Sequence, residues 1–358
     1  MFKCFASCAF GLESVVASEL KALGFKNVEP RDARVFFVSD KAGIARANIW
    51  LRAADRVYIE AGEFKADTFE SLFENVYSID WQEYIPKDAA FPVNADTVRS
   101  ALRSVPDIQA VSKKAVAEKL KKAYGNGLGE TAERYGIHIK LLGGSACACI
   151  NTSGAGLNRR GYRRANVDAP LRETLAAGLV LLSGWKEGEF CDPMCGSGTI
   201  AIEAALIGSN TAPGLGRSFD AEKWRAFGGE WAAEREHARS AVTKSAQVYA
   251  SDADVKALGA AERNAKAAGV QIKIFRADIR DFSRTDALVI TNPPYAQRLG
   301  EKEDVRALYR DMGRALSGVR RKYVLTADGE FERFFGRRAT KKRKLYNGNI
   351  RCTFYQYF

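Results

Sequence analysis

Histidine is almost missing from this sequence: His138 and His237 are the only two. The seven cysteines, Cys4, Cys8, Cys147, Cys149, Cys191, Cys195 and Cys352, are scattered and mostly set in apolar segments. So few imidazoles leave no zinc pattern to assemble, and buried, reduced thiols are the expectation. Long apolar runs are missing too, none approaching the ~20 residues that span a bilayer. Residues 1–5 read as a buried strand, without the basic segment, apolar core and small-residue cleavage site of a secretory signal. Low-complexity tracts are absent. A cytoplasmic globular protein, monomeric and without a membrane segment, is therefore expected. Domains of ~100–200 residues each would divide 358 residues into two or three.

Acidic residues are short in one half only. Residues 1–155 carry 20 Lys/Arg against 19 Asp/Glu, and residues 156–358 carry 35 against 24. A basic second half predicts a polyanionic partner; a solvated surface on a high-pI protein is the competing explanation.

What is present is a regular alternation of elements. Periodicity places strands at 2–9, 35–38 and 56–64 and helices at 12–23 and 42–51, a small α+β unit. A second unit follows, with a helix at 68–76, a short strand at 91–95, a basic amphipathic helix at 108–123 and a strand pair at 137–142 and 145–152. It offers no nucleophile, metal site or paired acid and base, and reads as a binding module. Glycine-rich residues 153–158 then lead into Arg159-Arg160-Gly161-Tyr162-Arg163-Arg164, the best linker candidate. The expected division is 1–64, 65–155, a linker at 156–168, and 169–358.

From 169 the pattern is α/β. Helices are expected at 171–182, 197–207, 253–268 and 304–316, and strands at 189–192, 247–251, 272–276, 287–291 and 322–326. A hairpin of 341–346 and 349–358 closes on Asn347-Gly348. A mostly parallel, Rossmann-like, doubly wound sheet with an antiparallel edge fits this order.

Asp192-Pro193-Met194-Cys195-Gly196-Ser197-Gly198-Thr199 lies where a buried strand passes into a helix, the place where open α/β sheets bind nucleotide-like ligands. Gly196 and Gly198 let the backbone turn tightly and approach a ligand. Asp252 ends the second strand, where an acid meets ribose hydroxyls. It lies 54 residues beyond Gly198, where ~20 are expected, so an insertion rich in Gly and Trp at 209–246 is implied. Asp278 follows the third strand. Each acid alone reads as a solvated loop residue; three at successive strand ends do not.

Asn292-Pro293-Pro294-Tyr295 follows an apolar strand. Two prolines forbid helix and fix the chain. The Asn292 side-chain carbonyl and the Pro293 carbonyl could then accept both protons of an exocyclic amine, freeing its lone pair by electrostatic preorganisation. Tyr295 offers a face for an unpaired or flipped base. The alternative is a plain turn ending a strand. Cys195 in the glycine loop is expected to be a packed thiol, not a covalent nucleophile.

The two motifs, Asp192 to Thr199 and Asn292 to Tyr295, resemble those of the class I amino-methyltransferases. The N-terminal half resembles a THUMP RNA-binding domain preceded by a ferredoxin-like subdomain, through 91–95, Ser100, Asp107-Ile108-Gln109 and the helix at 112–120. The junction at 157–163, Pro170 to Leu175 and Leu345-Tyr346-Asn347-Gly348 are similar to the bacterial 23S rRNA guanine-N2 methyltransferases. Many of those carry a second methyltransferase domain downstream. The resemblance implies S-adenosylmethionine as donor, with Asp192, Pro193, Cys195, Gly196, Ser197, Gly198 and Thr199 around its methionine portion. It implies Asp252 on the ribose, Asp278 on the adenine amino group, and Thr174 in a segment closing over the cofactor. Asn292, Pro293, Pro294 and Tyr295 would hold the target base.

Lys113, Lys114, Arg159, Arg160, Arg163 and Arg164 are the expected phosphate contacts, the junction run foremost; Arg337 to Lys344 form a further run without an acid. The expected activity is methylation of a base amine in RNA, guanine N2 of 23S rRNA before tRNA. A DNA adenine-N6 methyltransferase and a catalytically inactive RNA-binding protein are the alternatives.

Overall fold

The computed structural model describes residues 1–130, 133–163, 171–244, 246–295 and 302–358. The N-terminal half runs β1 (Phe2–Cys8), α1 (Glu13–Ala22), β2 (Glu29–Arg31), β3 (Arg34–Ser39), α2 (Lys41–Trp50), β4 (Ala54–Lys65), α3 (Phe69–Ser78), β5 (Val93–Val98), α4 (Val105–Tyr124), β6 (Gly136–Leu142) and β7 (Ser145–Asn151). The sequence dictates the helix boundaries locally. Thr68 and Ser71 form a reciprocal capping box before α3. Ser104 caps α4, whose second residue is Pro106 and which stops at Gly125 with φ +77°.

The two expected N-terminal units share one sheet. Its order is β2-β3-β1-β4-β7-β6-β5, seven strands in all. The join is β4, twelve residues long, whose first part pairs with β1 and whose length from Tyr58 to Lys65 pairs with β7. Its period changes at a bulge between Glu60 and Gly62, which lets one strand serve both neighbours. On α4, Ile108, Ala115, Val116 and Leu120 are buried, while its lysines face outward.

The C-terminal half runs α5 (Glu173–Ser183), β8 (Phe190–Asp192), α6 (Thr199–Gly208), α7 (Glu230–Ser240), β9 (Val248–Asp252), α8 (Val255–Ala268), β10 (Lys273–Arg276), β11 (Leu288–Thr291), α9 (Lys302–Ala315), β12 (Lys322–Thr326), α10 (Phe331–Phe335), β13 (Lys341–Asn347) and β14 (Ile350–Tyr357). The sheet order is β10-β9-β8-β11-β12-β14-β13, with every pairing parallel except those of the reversed strand β14 with β12 and with the edge strand β13. Strand order reverses between β8 and β11, and that crevice is the topological ligand site of an open α/β sheet. The closing turn sits one residue later than Asn347-Gly348: Asn347 ends β13, and Gly348, at φ +63°, takes the first turn position.

The insertion at 209–246 clamps the two halves together. Trp224 stacks on Tyr135 at 4.2 Å between centroids, and its indole N–H donates to the Arg134 carbonyl at 2.8 Å. Glu234 of α7 accepts from Arg46 Nε at 3.2 Å and Trp50 Nε1 at 3.0 Å. The described part of the expected linker, residues 156–163, is packed: Leu157, Arg160 and Tyr162 are buried. All seven cysteines are buried and free. Among the described residues no helix is long and apolar enough to cross a membrane.

Candidate active site

The glycine loop and the double-proline motif emerge side by side because β8 and β11 are neighbours, with Phe190 opposite Leu288 and Cys191 opposite Val289. Asp192 ends its strand one step beyond this pairing, with its carboxyl beside the side chain of Thr291, the residue before Asn292. Asp192 is 1% exposed. Burial pushes its carboxyl up from 3.8 to about 7; the Thr291 side chain and the Met194 N–H pull it down, and nearby Asp252 raises it further.

Residues 193–198 are held by backbone bonds. Cys195 N–H donates to the Ser251 carbonyl at 3.0 Å, and Gly198 N–H to the Cys195 carbonyl at 2.8 Å. Gly196 N–H donates to Asp252 Oδ2 at 2.9 Å, and Asp252 Oδ1 accepts from Asp254 N–H at 2.9 Å. Asp252 thus fixes the loop before it meets any ligand. The two glycines differ in kind. Gly198 has φ +83°, and a Cβ there would lie 3.0 Å from Ala261 Cβ, so it permits close packing of α6 on α8. Gly196 has φ +53°, and its Cβ would meet no atom within 4 Å, so the loop presents bare backbone to open space. Asn264 Nδ2 donates to the Ser197 carbonyl at 3.1 Å. Burial raises the Cys195 thiol far above its ordinary value, with Asp192 and Asp252 adding to it, so it is no thiolate. Thr199 opens α6, whose N-terminus carries partial positive charge.

In the second motif Pro293 is buried and Pro294 exposed. Tyr309 of α9 donates toward the Pro294 carbonyl at 3.5 Å and shares a 3.1 Å bond with Thr326 of β12. Asn292 Oδ1 is buried and has no hydrogen-bond partner among the described residues. Such an acceptor costs about 1–3 kcal/mol unless something donates to it. Tyr295 is half-buried; burial and the Cys352 thiol raise its hydroxyl, against Asn292 and Asn347 beside it. Asn347 was not expected at the site. Its Oδ1 also accepts the Arg172 N–H at 3.3 Å, and in the sequence it reads only as a turn residue.

Several expected residues are already engaged by other groups of the protein. Asp278 is engaged on both oxygens by Arg280, at 2.9 Å from Nε and 2.7 Å from NH2, an arginine two residues on being near enough to chelate it. The Thr174 hydroxyl donates to Asp55 of β4 at 3.0 Å. Arg160 is no phosphate contact. It is 4% exposed and spans Glu203 through Nε at 3.4 Å and NH2 at 3.3 Å, because Glu203 of α6 is buried and needs a cation. Arg163 turns inward to Glu173 at 2.8 Å and Thr199 at 3.3 Å. Lys113 is tied to Glu130 and the Phe91 carbonyl. Lys114 and Arg159 do face solvent. Arg164 and Pro170 lie outside the described residues.

Three family models match this chain: "RMKL-like, methyltransferase domain" over 160–356, "RlmL ferredoxin-like domain" over 3–58 and "THUMP domain" over 66–150. A Bacillus subtilis protein named putative RNA methyltransferase YpsC is 42% identical over 370 residues, covering 99% of this chain and 95% of that one. The ribosomal RNA large subunit methyltransferase K/L of Cellvibrio japonicus is 32% identical over 372 residues, 97% of this chain but 50% of that protein. The chain thus spans about half the length of the K/L proteins it matches. The crystal structure of SMU.472, a putative methyltransferase complexed with SAH, superposes with a TM-score of 0.93 at 38% identity, covering 100% of this chain and 98% of that one.

Proposed function

The chain belongs to the family described as RMKL-like, methyltransferase domain, and on that premise we propose that it methylates the exocyclic N2 of a guanine in large-subunit ribosomal RNA. S-adenosylmethionine is the donor, in keeping with the class I sheet and the SAH complex of a 38% identical protein. An RNA substrate is supported by the THUMP domain match and the printed names of relatives.

The observation that carries the reading is Asn292 Oδ1: a buried acceptor without a donor among the described residues, followed by two prolines, next to the glycine loop. An exocyclic amine supplies the missing donor. The amine's lone pair is conjugated with the ring; Asn292 and the Pro293 carbonyl accept its protons and release that pair for attack. Tyr295 stacks on the base, and the Tyr309–Thr326 bond holds the motif still. The glycine loop fits the cofactor, because Gly196 leaves room for its methionine portion and Asp252 retains lone pairs for a ribose hydroxyl. The sulfonium supplies an already activated methyl group. What remains for the protein is in-line alignment and exclusion of water, worth several kcal/mol of barrier. As part of the same reading we divide the chain at 64/65 and across 156–168, with the first two units sharing one sheet.

The test is tritiated methyl transfer to unmodified large-subunit rRNA, tRNA and duplex DNA, with products resolved by nucleoside. N2-methylguanosine from rRNA alone is expected. Label in DNA adenine or only in tRNA overturns the substrate, and no label anywhere with RNA still bound overturns the activity.

A further inference from the structure

Beyond Glu332 the sequence holds eight Lys/Arg residues and neither Asp nor Glu. The structure gathers most of them on the β13–β14 hairpin, where β13 is the edge of the sheet. Edge strands commonly carry charge merely to deter pairing with other chains, and either sign serves that end. Two further features do not follow from that need. Lys344 and Tyr346 lie on one face of β13, and Arg351 stands directly opposite Tyr346 on β14; all three are exposed. Tyr346, 37% exposed, meets Phe10, 55% exposed, edge-on at 6.5 Å. These two aromatic rings come from opposite halves of the chain and are both left in water.

The hairpin meets the candidate site near its tip and through its other face: Leu345, Asn347 and Cys352 turn inward where Lys344, Tyr346 and Arg351 turn out. Asn347, the residue after Tyr346, lies beside the Tyr295 hydroxyl. Three basic groups of the expected or neighbouring surfaces are spent within the protein: Arg160 on Glu203, Arg163 on Glu173, and Lys140 on Asp96. On this hairpin Lys342 is paired with Glu332, while Lys344 and Arg351 face water and have no ion-pair partner among the described residues.

We propose that this edge, with the Phe10–Tyr346 pair, is the docking surface for an unpaired RNA strand. Lys344 and Arg351 neutralise phosphates, and the aromatic pair stacks on a base of the strand before it passes round the hairpin tip toward Tyr295. The proposal rests on the RNA-methyltransferase reading for the nature of the polymer, and assigns the surface that reading leaves open. It makes the C-terminal edge, in place of the lysine-rich face of α4, the main contact near the catalytic motif.

The test is fluorescence anisotropy of a labelled single-stranded RNA oligonucleotide against the full chain, titrated with salt, with SAH binding as the check on folding. Lys344→Ala/Arg351→Ala is expected to weaken binding at least about tenfold and to lower the slope of log K on log salt by about 1.4, at ~0.7 per charge on a single strand. Phe10→Ala/Tyr346→Ala is expected to weaken binding about tenfold with the slope unchanged, since stacking releases no counterions. Lys113→Ala/Lys114→Ala is expected to change little. Wild-type affinity and slope in both hairpin variants, with SAH still bound, overturn the proposal. So does a loss confined to the Lys113/Lys114 variant, or an equal loss for duplex DNA. The readout needs no turnover: hairpin-dependent RNA binding without methyl transfer would sink the proposed function and spare this surface, and methyl transfer with unaltered binding would do the reverse.

Discussion

Glu203→Ala removes the anion from the most deeply buried ion pair at the junction of the two halves. The side chains of Arg160 and Glu203 are 3% and 0% exposed, and Glu203 also accepts the Tyr162 hydroxyl at 3.0 Å. In the variant the guanidinium keeps the Leu157 carbonyl at 2.8 Å and the Arg52 carbonyl, but loses its partner charge. Stripping one member from a buried pair costs about 3–5 kcal/mol, because the remaining charge stays out of water. With about 2.1 cal/mol/K of unfolding entropy per residue, a chain of 358 residues would lose about 4–7 °C in Tm. Differential scanning calorimetry measures the shift, and urea titration followed by circular dichroism measures the free energy. Arg160→Met/Glu203→Leu removes both charges and is expected to recover most of the loss, since apolar replacement of a buried pair is often neutral. A loss below about 1 kcal/mol for the single variant, or a double variant equally damaged, would refute the reasoning.

Asp192 predicts a pH slope. Its folded value lies above the unfolded one, so the folded state holds the proton more tightly, and its contribution to stability falls as pH rises between 3.8 and about 7. Asp192→Asn should flatten that part of the curve of urea midpoint against pH; an unchanged slope would show that the carboxyl is not the cause. Thr174→Val should cost about 1 kcal/mol by leaving the half-buried Asp55 without its hydroxyl donor, while SAH affinity by calorimetry stays within about twofold. A large loss of SAH affinity would instead return Thr174 to the cofactor. Gly198→Ala forces a side chain to φ +83° and to 3.0 Å from Ala261, and is expected to abolish SAH binding in the same assay; wild-type affinity would contradict that.

What the sequence made legible follows from locality. The β8 loop, the β11 motif and the terminal hairpin are written in contiguous glycine, proline and apolar patterns, so they could be placed to within a residue or two. The run at Arg159 to Arg163 could not be read in the same way. Arginines on a solvated face and arginines paired inside look alike until Glu203, 43 residues downstream in a helix, is folded against them. Likewise Thr174 reads as a helix residue in a segment closing over the cofactor until β4 brings Asp55 to its hydroxyl, 119 positions away in the chain. The shared N-terminal sheet was hidden because β4 carries two pairings and a bulge that no periodicity announces. The Trp-rich insertion was visible as excess length, but its role needed Tyr135 and Arg46 from the other half.

The central claim is that Asn292 holds the target amine. Its most direct test is Asn292→Ala, assayed for kcat on the methylated RNA beside SAH and RNA dissociation constants. The account predicts that kcat falls by about 10²–10³, the cost of losing one preorganised hydrogen-bonding group, with both binding constants unchanged. A kcat within about tenfold of wild type, or a loss explained entirely by weaker SAH binding, would contradict it.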